Sequence, residues 1–202
     1  MMKLDFKREL KHLYNPSSKK VGIVEVPRMT FLMIDGSGDP NTVQEFKDAV
    51  EALFSVSYTL RFMVKKTKRI DYRVLPLEGL WWTDDVDRFS MENKDAWKWT
   101  SMIMQPEHVT DGLVNQALDQ VKRKKNPIAL PKVRFESFHE GLSAQIMHIG
   151  SYSAEAATIA RLHNFIKKNN YEPKGKHHEI YLSNPRRSAP EKMKTVIRQP
   201  MK

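Results

Sequence analysis

The sequence predicts an α+β fold, a tandem duplication of a strand-helix-strand-strand unit that forms an antiparallel sheet with helices on one face and a ligand cleft between the halves. Three observations predict it. Met33-Ile34-Asp35-Gly36-Ser37 is matched by Met147-His148-Ile149-Gly150-Ser151, each leaving a strand and entering a helix. Ser101-Met102-Ile103-Met104-Gln105-Pro106 is matched by Thr195-Val196-Ile197-Arg198-Gln199-Pro200, each closing a half. Between these landmarks the same series of apolar periodicities occurs twice. The halves span about 20–106 and about 132–200, joined by a helix at about 110–125, and together form one domain.

In chain order, Asp5 to Tyr14 reads as a short helix ended by Asn15-Pro16, since proline disfavours helix in the residue before it. Val21 to Ile34 reads as a strand, with Phe31 and Met33 alternating against Leu32 and Ile34, and it ends in the turn Asp35 to Pro40. Thr42 and Glu45 have the spacing of a capping box, followed by Val43, Phe46, Ala49, Val50, Leu53 and Phe54 on one helical face. Lys65, Lys66, Lys68 and Arg69 are expected in a connecting segment. Strands follow across Tyr72 to Trp82 and Trp97 to Met104. Thr110 is placed to cap a helix whose stripe is Val114, Ala117, Leu118 and Val121.

After a linker bounded by Pro127 and Pro131, Arg134 to Ile149 reads as a strand interrupted at Gly141. Ser153 opens a helix with Ala156, Ile159, Leu162, His163 and Ile166 on one stripe, and Met193 to Gln199 forms the last strand.

Composition narrows the functions. The chain has 202 residues, 40% of them hydrophobic, enough to bury a core. No apolar run approaches the roughly 20 residues that cross a bilayer, and Met1 to Lys11 is too charged for a secretory signal, so a cytoplasmic protein without membrane contact is expected. With Cys 0 there is no thiolate nucleophile, disulfide or cysteine metal site. The net charge of +10 is spread over separate segments, which favours a solvated basic surface over nucleic-acid binding. The sequence lacks a P-loop, a dinucleotide fingerprint, a metalloprotease spacing and a Gly-x-Ser-x-Gly elbow, so no cofactor is expected.

The chemistry concentrates in His177-His178-Glu179-Ile180-Tyr181-Leu182-Ser183. As a strand it turns Ile180 and Leu182 to one face and His177, Glu179 and Tyr181 to the other. His178 therefore points away from His177 and Glu179, which argues against a metal trio. Setting Leu80-Trp81-Trp82-Thr83 beside Ile180-Tyr181-Leu182-Ser183 pairs Trp81 with Tyr181 and Gly79 with Glu179. Related by a pseudo-twofold, Trp81 and Tyr181 would face each other across the cleft, with Trp82 and Leu182 beneath the helices. Trp97 and Trp99 share a face of the neighbouring strand and are candidates for the cleft wall.

The duplicated unit, the Gly150-Ser151-Tyr152 turn and the strand His178-Glu179-Ile180-Tyr181-Leu182 resemble the GyrI-like small-molecule-binding domain. The resemblance covers nearly the whole chain. Its most specific part is Glu179 to Gln199, with Asn184-Pro185-Arg186 and Pro190-Glu191-Lys192, while Gly-Ser-Tyr stands where the family usually has Gly-Pro-Tyr. The resemblance implies a central ligand cleft. It also implies one of three roles: an effector-binding half of a multidrug-responsive regulator, a stand-alone binder, or a hydrolase of cyclopropane-bearing DNA-alkylating toxins. A regulator would carry a helix-turn-helix domain, for which this sequence leaves no room. Contact with DNA gyrase is known for some members and has no specific support in these residues.

Two functions stay open. In a binding module for a hydrophobic or cationic aromatic small molecule, Glu179 is a counter-ion among Trp81, Trp97, Trp99, Tyr152 and Tyr181. In a hydrolase, Glu179 is a general base on water and Tyr181 or Tyr152 donates a hydrogen bond where negative charge collects. Burial is expected to raise the Glu179 pKa.

Overall fold

The alternation predicted for the first long strand decides which side of the sheet is which. The computed structural model describes residues 1–84 and 94–202. In strand β2 (Gly22–Ser37), Phe31 and Met33 enter one apolar cluster while Leu32 and Ile34 enter another. Strand β1 (Met2–Leu4) pairs in parallel with β3 (Ile70–Tyr72) as a separate small sheet. The remaining strands are β4 (Leu77–Trp82), β5 (Lys98–Gln105), β6 (Arg134–Ile149), β7 (His177–Tyr181) and β8 (Lys194–Pro200).

These six form the expected antiparallel sheet, with its two ends joined. They close into a barrel of order β2-β5-β4-β7-β8-β6, every pair antiparallel. Closure comes from β2, which pairs along one edge with β5 and along the other with β6, from Gly22 opposite Gln145 to Met33 opposite Arg134. With both edges of β2 used, the barrel strands have no free edge among the described residues. Strands β2, β5 and β4 are contiguous in the barrel, as are β7, β8 and β6.

The helices cover parts of the outer surface. Helix α3 (Gln44–Lys68) buries Ala49, Ala52, Leu53, Val56, Leu60 and Val64 against Leu32, Ile34 and Ile103, and α4 (Asp111–Lys124) adds Val114, Ala117 and Val121 to the same core. Each buried Leu or Val contributes roughly 1.5–3 kcal/mol relative to exposure. Helix α5 (Ala156–Lys168) packs Leu162 and Ile166 on Ala144, Ile146 and Ile197. Among the described residues no helix is long and apolar enough to cross a membrane.

The opposite strand faces turn away from α3, α4 and α5. They line the barrel interior, where Met33, Leu80, Met102, Met147, Ile180 and Val196 pack together. The predicted N-terminal helix is two single turns, α1 (Phe6–Glu9) and α2 (Lys11–Tyr14), and Leu13 and Tyr14 join the interior cluster. Trp82 and Leu182 pack there too, not under the helices, because their strand positions have interior parity. Gly141 takes φ +76, a conformation that L side chains rarely adopt, and Glu140 beside it is buried, bonded to His178 and Arg198.

Three local expectations need correction. Lys65, Lys66 and Lys68 lie in the last turn of α3, where cations complement the exposed carbonyls, and only Arg69 leaves the helix, as a left-handed cap. The capping box does not form: the N-cap is Val43, with no side-chain cap bond, and Glu45 accepts an ion pair from Lys132 at 2.6 Å. The strand expected across Tyr72 to Trp82 is two strands, because Arg73 to Pro76 separates β3 from β4. Thr110 does cap α4, accepting from the Leu113 amide at 3.4 Å.

Candidate ligand-binding and active site

Strand alternation places His177, Glu179 and Tyr181 on the outer face of β7 and turns His178 and Ile180 inward. The neighbour β4 runs antiparallel with Leu77 opposite Tyr181, Gly79 opposite Glu179 and Trp81 opposite His177. Trp81 and Tyr181 thus lie diagonally across Gly79, side by side on adjacent strands. The Trp81 Nε1–H donates to the Tyr181 hydroxyl at 3.1 Å. That hydroxyl donates to Glu179 Oε2 at 2.7 Å, and His177 Nε2 lies 3.1 Å from Oε1. Glycine is required opposite Glu179, since a Cβ on Gly79 would stand 2.7 Å from Trp81 Nε1.

A second carboxyl completes the site. Glu155, just ahead of α5, is 1% exposed and lines the same pocket as Glu179. Burial and the Glu179 charge push Glu155 up to about 9, so it holds a proton at neutral pH. Glu179 moves the other way from the expected direction. Burial does push it up, but the His177 hydrogen bond and charge, the Tyr181 hydroxyl and the His178 charge outweigh that and hold it below the usual carboxylate range. One carboxylate and one carboxylic acid therefore share the site, the arrangement expected when two acids have environments that separate their affinities for a proton.

The aromatic wall is continuous with this pair. Tyr152 meets Tyr181 edge-on at 5.6 Å, and burial with the Glu155 and Glu179 charges pushes its hydroxyl up to about 12. Trp81 contacts Trp97 at 5.4 Å and Phe46 of α3 at 5.9 Å. Together they line one end of an open pocket of ≈ 1300 Å³ that continues along α3 past Val50 and Phe54 to Tyr58 and Phe62. Trp99 is placed elsewhere. It is 0% exposed, lies under Phe46 and against Gly36, and does not line the pocket. The structure thus brings Trp81, Trp97, Tyr152, Glu179 and Tyr181 together and leaves Trp99 in the core.

Sequence reasoning missed Glu155, Phe46 and the part played by His177. Glu155 stands two residues after Ser153 in what reads as the solvent side of a helix start, and its burial follows from long-range packing. His177 carried a signal, since alternation put it on the Glu179 face. Among the described residues no group of three or more His, Asp or Glu is arranged to hold a metal ion.

Residues 19–202 match the family described as the GyrI-like small molecule binding domain. The chain is similar to a solved structure described as an uncharacterized conserved protein from Listeria innocua, with 39% identity, TM-score 0.91, and coverage of 98% of this chain and 100% of that one. Two structures described as hydrolases from the same organism are each 38% identical, with TM-scores of 0.89 and 0.86. They cover 99% and 98% of this chain and 100% of their own. No curated protein matches the chain.

Proposed function

Because the chain belongs to the GyrI-like small-molecule-binding family, we propose that its outer pocket binds flat hydrophobic or cationic polycyclic molecules and opens the strained cyclopropane ring of DNA-alkylating toxins by adding water. The observation that carries this reading is the pair of acids set apart in proton affinity at the end of an aromatic pocket. Glu179 takes a proton from water as its oxygen bonds to the cyclopropane carbon. The ring C–C bond breaks, its electron pair moves into the conjugated system, and the oxygen that gains charge accepts a proton from Glu155. Tyr152 donates a hydrogen bond to that oxygen, while Tyr181 is committed to orienting Glu179. A general base and donor of this kind contribute about 10²–10⁴-fold each. The 38% identity to structures described as hydrolases supports the reading.

The seams of the barrel support two related halves. The pairing of Gly79 with Glu179 has Leu77–Tyr181 on one side and Trp81–His177 on the other, as a twofold axis between β4 and β7 would produce.

One observation favours a second reading, a binder that performs no reaction. Both Glu179 oxygens already meet a partner, His177 and Tyr181, which suits a fixed counter-ion for a lipophilic cation. Incubation with a spirocyclic cyclopropane toxin separates the two. Ring opening by the wild-type chain that falls at least 100-fold in Glu179→Gln supports the hydrolase. Equal rates in the two proteins overturn it, and rhodamine 6G binding that weakens in Glu179→Gln then supports the binder.

A further inference from the structure

The barrel interior holds ionisable side chains that the proposed reaction does not use. His178 is 1% exposed and both its ring nitrogens face carboxylates, Nδ1 at 2.9 and 3.0 Å from the two Glu140 oxygens and Nε2 at 3.0 Å from Glu78 Oε2. With a carboxylate on each side, both nitrogens carry hydrogen and the ring is an imidazolium. Glu78 also accepts from the Tyr14 hydroxyl at 2.7 Å, and Glu140 from Arg198 Nη1 at 3.1 Å. Arg198 continues to Gln145 Oε1 at 3.0 Å and to the Leu13 carbonyl of the N-terminal plug at 2.8 Å. A buried cluster of two anions and two cations has a large desolvation cost and is a poor source of stability relative to apolar packing.

Its position behind the pocket gives it another use. His178 precedes Glu179 on β7 and projects from the opposite face, so the imidazolium and the carboxylate are separated by one strand. Glu140 reaches His178 from β6, which does not pair with β7, and Glu78 holds it from β4. On its own side Glu179 meets His177 and Tyr181 of β7, with Glu155 and Tyr152 ahead of α5; Lys94 also acts on Glu155. In a water-poor wall a fixed charge at that range is weakly screened.

We propose that His178 is a positioning residue for the candidate site, an imidazolium fixed behind β7 that keeps Glu179 as the carboxylate of the pair and leaves the shared proton on Glu155. This rests on reading Glu155 and Glu179 as an acid–base pair, but not on any substrate. Burial opposes the His178 charge, and Glu140 and Glu78 sustain it up to about pH 9.

The test is a carboxyl-carbon NMR titration of the full chain labelled at glutamate Cδ, with assignments from Glu155→Gln and Glu179→Gln. In folded His178→Gln the Glu179 midpoint should rise and the Glu155 midpoint fall, narrowing their separation; an unchanged separation overturns the proposal. Should His178→Gln fail to fold, Glu155→Gln keeps His178 in place. The Glu179 resonance there should show a second step at the pH where the His178 ring loses its proton, and no step overturns the proposal. Neither readout depends on turnover. A chain that opens no cyclopropane ring yet shows the narrowing refutes the hydrolase and keeps the role of His178, and turnover with an unchanged separation does the reverse.

Discussion

Trp81 and Tyr181, one hundred positions apart, are joined by an N–H···O hydrogen bond of 3.1 Å that crosses directly over Gly79. The bond fixes the tyrosine hydroxyl, which in turn holds Glu179 at 2.7 Å. The carboxylate is therefore oriented by a relay that begins on the neighbouring strand. It also depends on a missing side chain.

Gly79→Ala should break that relay. The added methyl would stand 2.7 Å from Trp81 Nε1, and the indole is hemmed in by Phe46 and Trp97. Overpacking of this kind costs about 1–3 kcal/mol. Denaturant unfolding should register that loss, and rhodamine 6G titration should show at least tenfold weaker binding.

Glu155→Gln should make the protein more stable at neutral pH while reducing ring opening at least 100-fold. The Glu155 carboxyl is raised from 4.5 to about 9. Between those values the folded chain holds a proton that the unfolded chain has released, so stability falls as pH rises through the window. Removing the group should recover on the order of 3 kcal/mol at pH 7. Urea melts of the two proteins at pH 5 and pH 8 check this, with the gain larger at pH 8.

The kcat/KM profile for ring opening should be bell-shaped. The proposed reaction needs Glu179 ionised and Glu155 protonated, so its alkaline limb should fall near pH 9. The acid limb lies below the usual glutamate range, because Glu179 is lowered. Rates measured from pH 3 to 10.5 test both limbs, and a flat alkaline side would remove Glu155 from the reaction.

The interior ion cluster should confine stability to a pH window. His178 is raised to about 9 from 6.5, so its contribution is fully present below pH 6.5 and is lost as pH rises through about 9. Glu140 is lowered to about 2 from 4.5, so its contribution is present above pH 4.5 and is lost as pH falls through about 2. Glu140→Gln, which leaves His178 and Arg198 short of an anion, should cost about 3–5 kcal/mol at pH 6 in a chemical melt.

Local pattern was enough for much of this protein. Alternation alone assigned Phe31 and Met33 to one face and Leu32 and Ile34 to the other, Thr110 announced the start of α4, and the parity of β7 separated His178 from His177, Glu179 and Tyr181. These are properties of neighbours in the chain, which share a face because backbone geometry repeats every two residues or every three to four. Long-range pairing decided the rest. Only the register of β2 with β6 closes the barrel, enclosing the face of Trp82 and Leu182 that was expected beneath the helices, and only that closure gathers Glu78, Glu140, His178 and Arg198. The burial of Glu155 next to Glu179, and with it which of the two carboxyls keeps the proton, likewise depends on where α5 settles on the barrel. A proton affinity is set by the charges and the solvent around a group in space, and sequence neighbours supply only part of that surrounding.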